Sequence, residues 1–194
     1  MISRKILIVI VALTASSQCI ATWDLDNSSS GLSFVSTKAI DIAEAHRFDT
    51  LAGRISDKGK AVVTVELRSV NTGIQIRDER MQELLFETNK YPYATVRAKI
   101  DMDLIDALQP GDSKRFDTEF TLDLHGNDVR LIAGVVVARL SESVLTVTSA
   151  QPVILTTASV ELAEGVEALR KVANLPSISN AVPVSFVLSF VKSD

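Results

Sequence analysis

R-F-D-T-E-F-T-L-D-L, residues 115–124, alternates from end to end. Phe116, Thr118, Phe120, Leu122 and Leu124 fall on one face of an extended chain, and Arg115, Asp117, Glu119, Thr121 and Asp123 on the other. Successive strand side chains point to opposite faces, so the spacing predicts a strand with one face buried and one in water. H-G-N-D, residues 125–128, is a tight reversal into a strand over 129–140, and another follows over 144–149. Upstream, Val96, Ala98 and Ile100 oppose Thr95, Arg97 and Lys99. Ala61, Val63, Val65 and Leu67 alternate with Val62, Thr64 and Glu66, after a hairpin-type turn D-K-G-K at 57–60. Trp23-Asp-Leu-Asp reads as a first strand, residues 27–31 as a turn, and 32–36 as its resumption. Residues 46–55 alternate again, with 40–45 read as the connection into them. Pro183 opens a last strand in which Val184, Phe186, Leu188 and Phe190 share a face.

About eight short antiparallel strands joined by turns in one domain predict an all-β fold closed into a barrel, with a β-sandwich as the alternative. One or two short helices interrupt it. The first lies in T-G-I-Q-I-R-D-E-R-M-Q-E-L-L-F-E-T-N-K-Y-P-Y-A, residues 72–94, where Ile74, Met81, Leu84 and Leu85 share a helical face. Arg77 and Asp78 flank that face, and Glu79, Arg80, Gln82 and Glu83 point to water. Tyr91-Pro92-Tyr93 stops the helix and starts an extended segment. A second amphipathic segment spans 164–174, ended by Asn174 and Pro176.

The N-terminus reads as a secretory signal peptide over 1–21. Arg4 and Lys5 precede an unbroken apolar run at 6–13, and Cys19-Ile20-Ala21 sets small residues before a cleavage site. The run is too short to span a bilayer as a mature helix. A lipoprotein signal acylated on Cys19 is the alternative, and Ser16 and Gln18 argue against it. The expected domain, 22–194, contains no cysteine, so an exported protein of this kind is held by its core alone. About 170 residues suffice for one core and are too few for two domains. Without Arg4 and Lys5 the chain has 18 basic and 24 acidic residues, net −6, and no basic patch for nucleic acid. Two histidines and no remaining cysteine predict no metal centre.

His46 and His125 are the only side chains that titrate near neutrality at their ordinary values. His125, in a turn beside glycine, reads as a solvated loop residue. His46 shares a strand face with Phe48 and reads either as a hydrogen-bonded rim residue or as a polar contact to a ligand head group. Arg77 and Asp78 form either a mutual or cross-strand salt bridge that pins the helix, or a site at a cavity mouth where Arg77 meets a carbonyl or anionic group. No serine sits in a nucleophile-elbow setting, and no phosphate-binding glycine loop follows a strand.

Arg77-Asp78, Leu85-Phe86, Tyr91-Pro92 and Ala94, in that order, resemble the pattern of the YceI-like family of bacterial lipid-binding proteins. The resemblance extends to Trp23-x-Leu-Asp, His46-x-Phe with Gly53, Ser69-Val70-x-Thr72-Gly73, Thr121-Leu122-x-Leu124-His125-Gly126 and the closing Val184-Ser-Phe. It departs at 28–31, at an insertion-like 102–109, at 127–129, and in a longer helical stretch at 161–175 that would cover one end of the barrel. It implies a lipocalin-like barrel exported to the periplasm, with an apolar tunnel for an isoprenoid, an isoprenoid quinone-like molecule or a fatty chain. On that implication the protein is a non-catalytic binder or carrier without a cofactor. Its partner would be a hydrophobic small molecule, with transient membrane contact and a monomeric or homodimeric state.

The expected lining is Phe34, Phe48, Val63, Val65 and Val96, continuing through Phe120, Leu122, Phe186 and Leu188. His46, Arg77, Met81 and Phe86 complete the expected ligand-binding set. Two other functions fit the same strands. One is a barrel enzyme with His46 as acid–base and Arg77 as electrostatic stabiliser. The other is a partner-binding module that uses a sheet edge.

Overall fold

A computed structural model describes residues 22–193. The expected signal peptide, 1–21, lies outside the described residues. Twelve strands form one antiparallel sheet: β1 Thr22–Leu25, β2 Gly31–Lys38, β3 Ile42–Phe48, β4 Leu51–Ile55, β5 Lys60–Glu66, β6 Val70–Asn71, β7 Tyr93–Lys99, β8 Ser113–Leu124, β9 Asn127–Ser141, β10 Val144–Ser149, β11 Val153–Thr156 and β12 Ala181–Ser193. Along one edge of β12, residues 190–193 pair with β1 and 184–187 with β2. β4 lies beside β1 and β3 beside β2. β5 lies beside β4 and β6 beside β3. The other edge of β12 carries β10 and β11. The twelve segments are therefore eight staves, four of them broken, and the pairing of Trp23 with Lys192 closes the ring.

The breaks are built from side chains. Asp26 accepts hydrogen bonds from the Ser28 amide (3.0 Å) and hydroxyl (2.7 Å), holding a 3-10 turn between β1 and β2. Across that turn the Ser189 amide donates to Ser30 Oγ (2.9 Å), so the ladder with β12 is bridged rather than lost. Between β3 and β4, Asn27 Oδ1 accepts from the Leu51 amide (2.6 Å) while its Nδ2 donates to the Asp49 carbonyl (3.1 Å).

Two expectations need correction here. Residues 46–55 are not one strand, because the chain breaks at Asp49-Thr50; and 40–45 are not a connection, because β3 begins at Ile42. The inward residues of β3 are Ile42, Glu44, His46 and Phe48, with Ile42 beyond the wall. With two of the four polar, the strand carries no apolar alternation to read.

The long β8–β9 hairpin turns through His125 and Gly126, both at positive φ (56° and 80°), the geometry of a two-residue hairpin loop. Among the described residues three short α-helices are present, one more than the upper expectation. α1, Gln75–Arg80, runs directly into a single π-helical turn, Met81–Leu85. α2, Met102–Asp106, occupies the stretch read as an insertion, and α3 spans Ala163–Val172. Among the described residues no helix is long and apolar enough to cross a membrane.

The π turn explains a second correction. Ile74 does not share the buried face of Met81 and Leu85. It is the N-cap, extended and half exposed, and the helix starts after it. The wider turn, closed by Phe86 N donating to Met81 O (2.9 Å), brings Leu85 and Phe86 inward together.

One end of the barrel is sealed. Ile105 and Leu108, from and just after α2, are buried there. Arg139 lies nine-tenths buried beneath them, donating to the carbonyls of Ile105 (3.4 Å), Leu108 (3.2 Å) and Glu142 (3.3 Å), with its guanidinium over Trp23. The cation adds donors to the carbonyls of the turn that ends α2, of which Ile105 O also accepts from the Leu108 amide (3.2 Å), and ties that turn to Glu142.

At the other end α3 packs on the π turn. A Cβ on Gly165 would stand 2.8 Å from the Leu84 carbonyl and 2.9 Å from Leu85 Cα. Gly165→Ala is therefore expected to destabilise the protein by about 1 kcal/mol, although alanine favours the helix by about as much, because overpacking costs more. A urea midpoint equal to or above that of the wild type would show that the two helices part freely.

Candidate functional site

The inward faces of the staves do not meet. They enclose a cavity of about 610 Å³ with an overwhelmingly apolar wall. Phe34 and Phe48 come from β2 and β3, their rings 5.5 Å apart, and Phe86 continues the band 5.8 Å beyond Phe48. Val63 and Val65 face them from β5, Val96 from β7, and Phe120 and Leu122 from β8. Phe186 and Leu188 of β12 and Met81 of the π turn complete the side chains named from sequence; all of these line the cavity, as do His46 and Arg77. Val166 and Leu169 of α3 also reach the wall. These two lie in the helical stretch that was expected to cover one end.

The charged groups on the wall gather at the end where β2, β3 and α1 meet. Arg77 Nη1 donates to Glu44 Oε2 (2.9 Å) and Nη2 to the Thr72 carbonyl (2.8 Å). Lys38 Nζ lies 2.7 Å from the same Glu44 oxygen. Hydrogen bonding to Lys38, and then to Arg77, holds the Glu44 carboxyl below its ordinary range. Asp78 is not the partner of Arg77; it accepts from the amide (2.9 Å) and hydroxyl of Thr72 and ties down the loop before the helix. Of the alternatives left open, the salt bridge is not mutual but runs from α1 to Glu44 of β3, pinning the helix to the sheet, and Arg77 also stands at the cavity wall.

His46 is buried, its ring 5.2 Å from Phe34 and its Nε2 2.9 Å from Ser36 Oγ. Two buried nitrogens on this wall have no partner: His46 Nδ1 and Arg77 Nε. Unpaired buried polar atoms are uncommon; a third, Arg139 Nε, lies at the sealed end away from the hollow, and these two belong to residues that line it.

Burial lowers the His46 pKa below its ordinary 6.5, and the charge of Arg77 lowers it further. The folded protein therefore binds fewer protons than the unfolded chain on the acid side of pH 6.5. The contribution of His46 to stability is full above that value and falls as pH drops below it. His46→Gln is expected to flatten this dependence, so its melting temperature should fall less than that of the wild type between pH about 6.5 and about 5. Identical slopes would mean that another group governs this window.

His125 is corrected as well. It is not a solvated loop residue: Nε2 lies 2.7 Å from Glu87 Oε2, and the ring packs against Tyr91 at a 49° tilt with centroids 4.3 Å apart, while Tyr91 also covers Gly126. This joint fastens the β8–β9 turn to the segment after the π turn. Glu44, Lys38 and Ser36 were missed from sequence. Their one signal is phase, since Ser36 and Lys38 follow Phe34 at even spacing and Glu44 precedes His46.

A YceI-like domain model matches residues 23–190. A polyisoprenoid-binding domain from Saccharophagus degradans is 40% identical, with a TM-score of 0.87, covering 88% of this chain and 98% of that one. Burkholderia cenocepacia BcnA shares the fold at 15% identity and a TM-score of 0.62, over 85% of this chain and 98% of the other. A Campylobacter jejuni YceI protein does so at 13% identity and a TM-score of 0.52, over 100% and 94%. No curated protein sequence matches the chain.

Proposed function

The chain belongs to the YceI-like family, and we propose that it holds the apolar chain of an isoprenoid, isoprenoid quinone-like or fatty amphiphile inside its barrel, without catalysis, in the periplasm. The observation that carries this reading is the hollow itself: about 610 Å³ behind an apolar wall, with its charged groups at one end. Such a space offers water too few partners, whereas a hydrocarbon gains about 25 cal/mol for each Å² it buries. The polar head then lies near His46 and Arg77, whose unpaired Nδ1 and Nε suit an oxygen-bearing group. The likeness to a polyisoprenoid-binding domain supports this choice of guest. Native mass spectrometry of protein purified from cells is expected to find a co-purified lipid. A bare mass, together with failure to take up polyprenyl and acyl probes, would overturn the proposal.

A second reading has one observation in its favour. The Ser36–His46 pair is spaced as a nucleophile and base would be. Against it, His46 Nδ1 has no carboxylate behind it, and the Ser36 region lies within the β2–β3 ladder. That leaves no obvious pair of amides for an oxyanion. A fluorophosphonate probe is expected to leave Ser36 unlabelled; covalent labelling there would favour acyl transfer over carriage.

A further inference from the structure

The two ends of the barrel differ in what they show to solvent. At the sealed end the turns are Asp57-Lys58-Gly59, Pro110-Gly111-Asp112 and Glu142-Ser143, which carry no large apolar side chain, although Leu140 on the outer face beside the last of them is 59% exposed. At the charged end the β2–β3 tip carries Ile40, 88% exposed, followed by Ile42 at 49%. The start of α1 carries Ile74 at 48% and Ile76 at 53%, both of which also line the cavity opening. The end of α3 carries Val172 at 48%. These segments adjoin. The Ala39 amide donates to the Ser177 carbonyl (3.0 Å), and Lys38 bridges to Ile178, tying the tip to the chain after α3. Arg77, beside Ile76, holds Glu44 of β3.

The tip is also strained. Ala39 and Ile40 both have positive φ, 49° and 78°. For a β-branched residue this is a true outlier, at a place where glycine or asparagine would sit without strain. Here the strained residue also exposes nearly its whole apolar side chain to water. Neither feature helps a free, soluble barrel, and both are accounted for if the tip is not in water when it works.

We propose that this rim, Ile40, Ile42, Ile74, Ile76 and Val172, inserts into the surface of a phospholipid bilayer and sets the cavity opening against the lipid. The proposal rests on the reading of the barrel as a carrier of a bilayer-resident guest. A lipid surface fits better than a protein partner for two reasons. The rim consists of single aliphatic side chains on three segments around an opening, with none of the aromatic anchors that concentrate binding energy at protein interfaces. It is also continuous with the apolar wall, so a guest passing from bilayer to barrel stays in contact with apolar groups throughout. Insertion is the main attraction, since Lys38 and Arg77 share Glu44 and the chain is acidic, with Arg80 the further cation on this wall whose share flotation at high salt reads.

The test is flotation of residues 22–194, which contain every stave, with phosphatidylcholine vesicles. Wild-type protein is expected to float with the vesicles, and to remain with them at about 1 M salt, where charges are screened beyond about 3 Å. Ile40→Gly and Ile76→Ser are each expected to weaken partitioning about tenfold. Ile40→Gly should meanwhile raise the melting temperature, because glycine accepts the tip conformation. Lower membrane affinity with higher stability is an outcome that misfolding cannot produce. Undiminished flotation of the variants, wild type that never floats, or wild type that self-associates through this rim would each overturn the proposal. Uptake of a polyprenyl probe from detergent, measured on the same proteins, is a separate readout. Its failure in wild type that still floats would sink the carrier reading and leave the docking surface standing.

Discussion

Val96→Trp is expected to fold and to lose ligand. Val96 lies midway along the cavity wall, paired with Val63 on one side and Leu122 on the other. In a close-packed core such an enlargement costs about 1–3 kcal/mol. Here the added ring enters empty space, so the melting temperature should stay within a few degrees. The guest has no such freedom. An indole buries roughly 150–250 Å², and denying a hydrocarbon chain even half of that contact at about 25 cal/mol per Å² weakens binding by tens-fold or more. Titration with a fluorescent polyprenyl probe should show a loss of about a hundredfold. Val62→Trp, the neighbouring residue on the outer face, serves as the control and should bind as the wild type does. Equal affinity for Val96→Trp would mean that the guest does not occupy the barrel.

Arg139→Ala should produce the largest loss of stability, about 3 kcal/mol. The substitution strips donors from the Ile105 and Leu108 carbonyls and leaves a void beside Trp23. The Glu142 carboxylate contributes little to the wild-type balance, being 3.7 Å away and 83% exposed. Arg139→Met keeps most of the volume and loses the hydrogen bonds and the cation over Trp23, so its cost should be about half as large. Urea denaturation of the two variants separates the effects. A loss below about 1 kcal/mol for the alanine variant would mean that α2, rather than the arginine beneath it, seals the barrel.

The arginine was overlooked because it stands in a strand whose other inward residues, Ala133, Val135 and Val137, set an unbroken apolar phase. A charge arriving in that phase was the available signal. The same logic hid β3. Where a wall must be greasy, as in β8 and β12, the alternation was plain and the lining residues followed from it. Where it must be polar, at Glu44, His46, Ser36 and Lys38, the apolar rhythm that marks a strand is absent. The polar end of the candidate site was therefore the least legible part of the fold.

Most of the staves, their inward faces and the family were legible in short strings, because alternation is a local property; the first half of β3 and the whole of β11 were not. It took the assembled barrel to show that the inward faces stand apart around a hollow, that one end is sealed and the other polar, and that three more staves are broken besides the one interrupted at 27–31. The distance across a closed sheet depends on strand number, tilt and stagger together. No single strand carries that information.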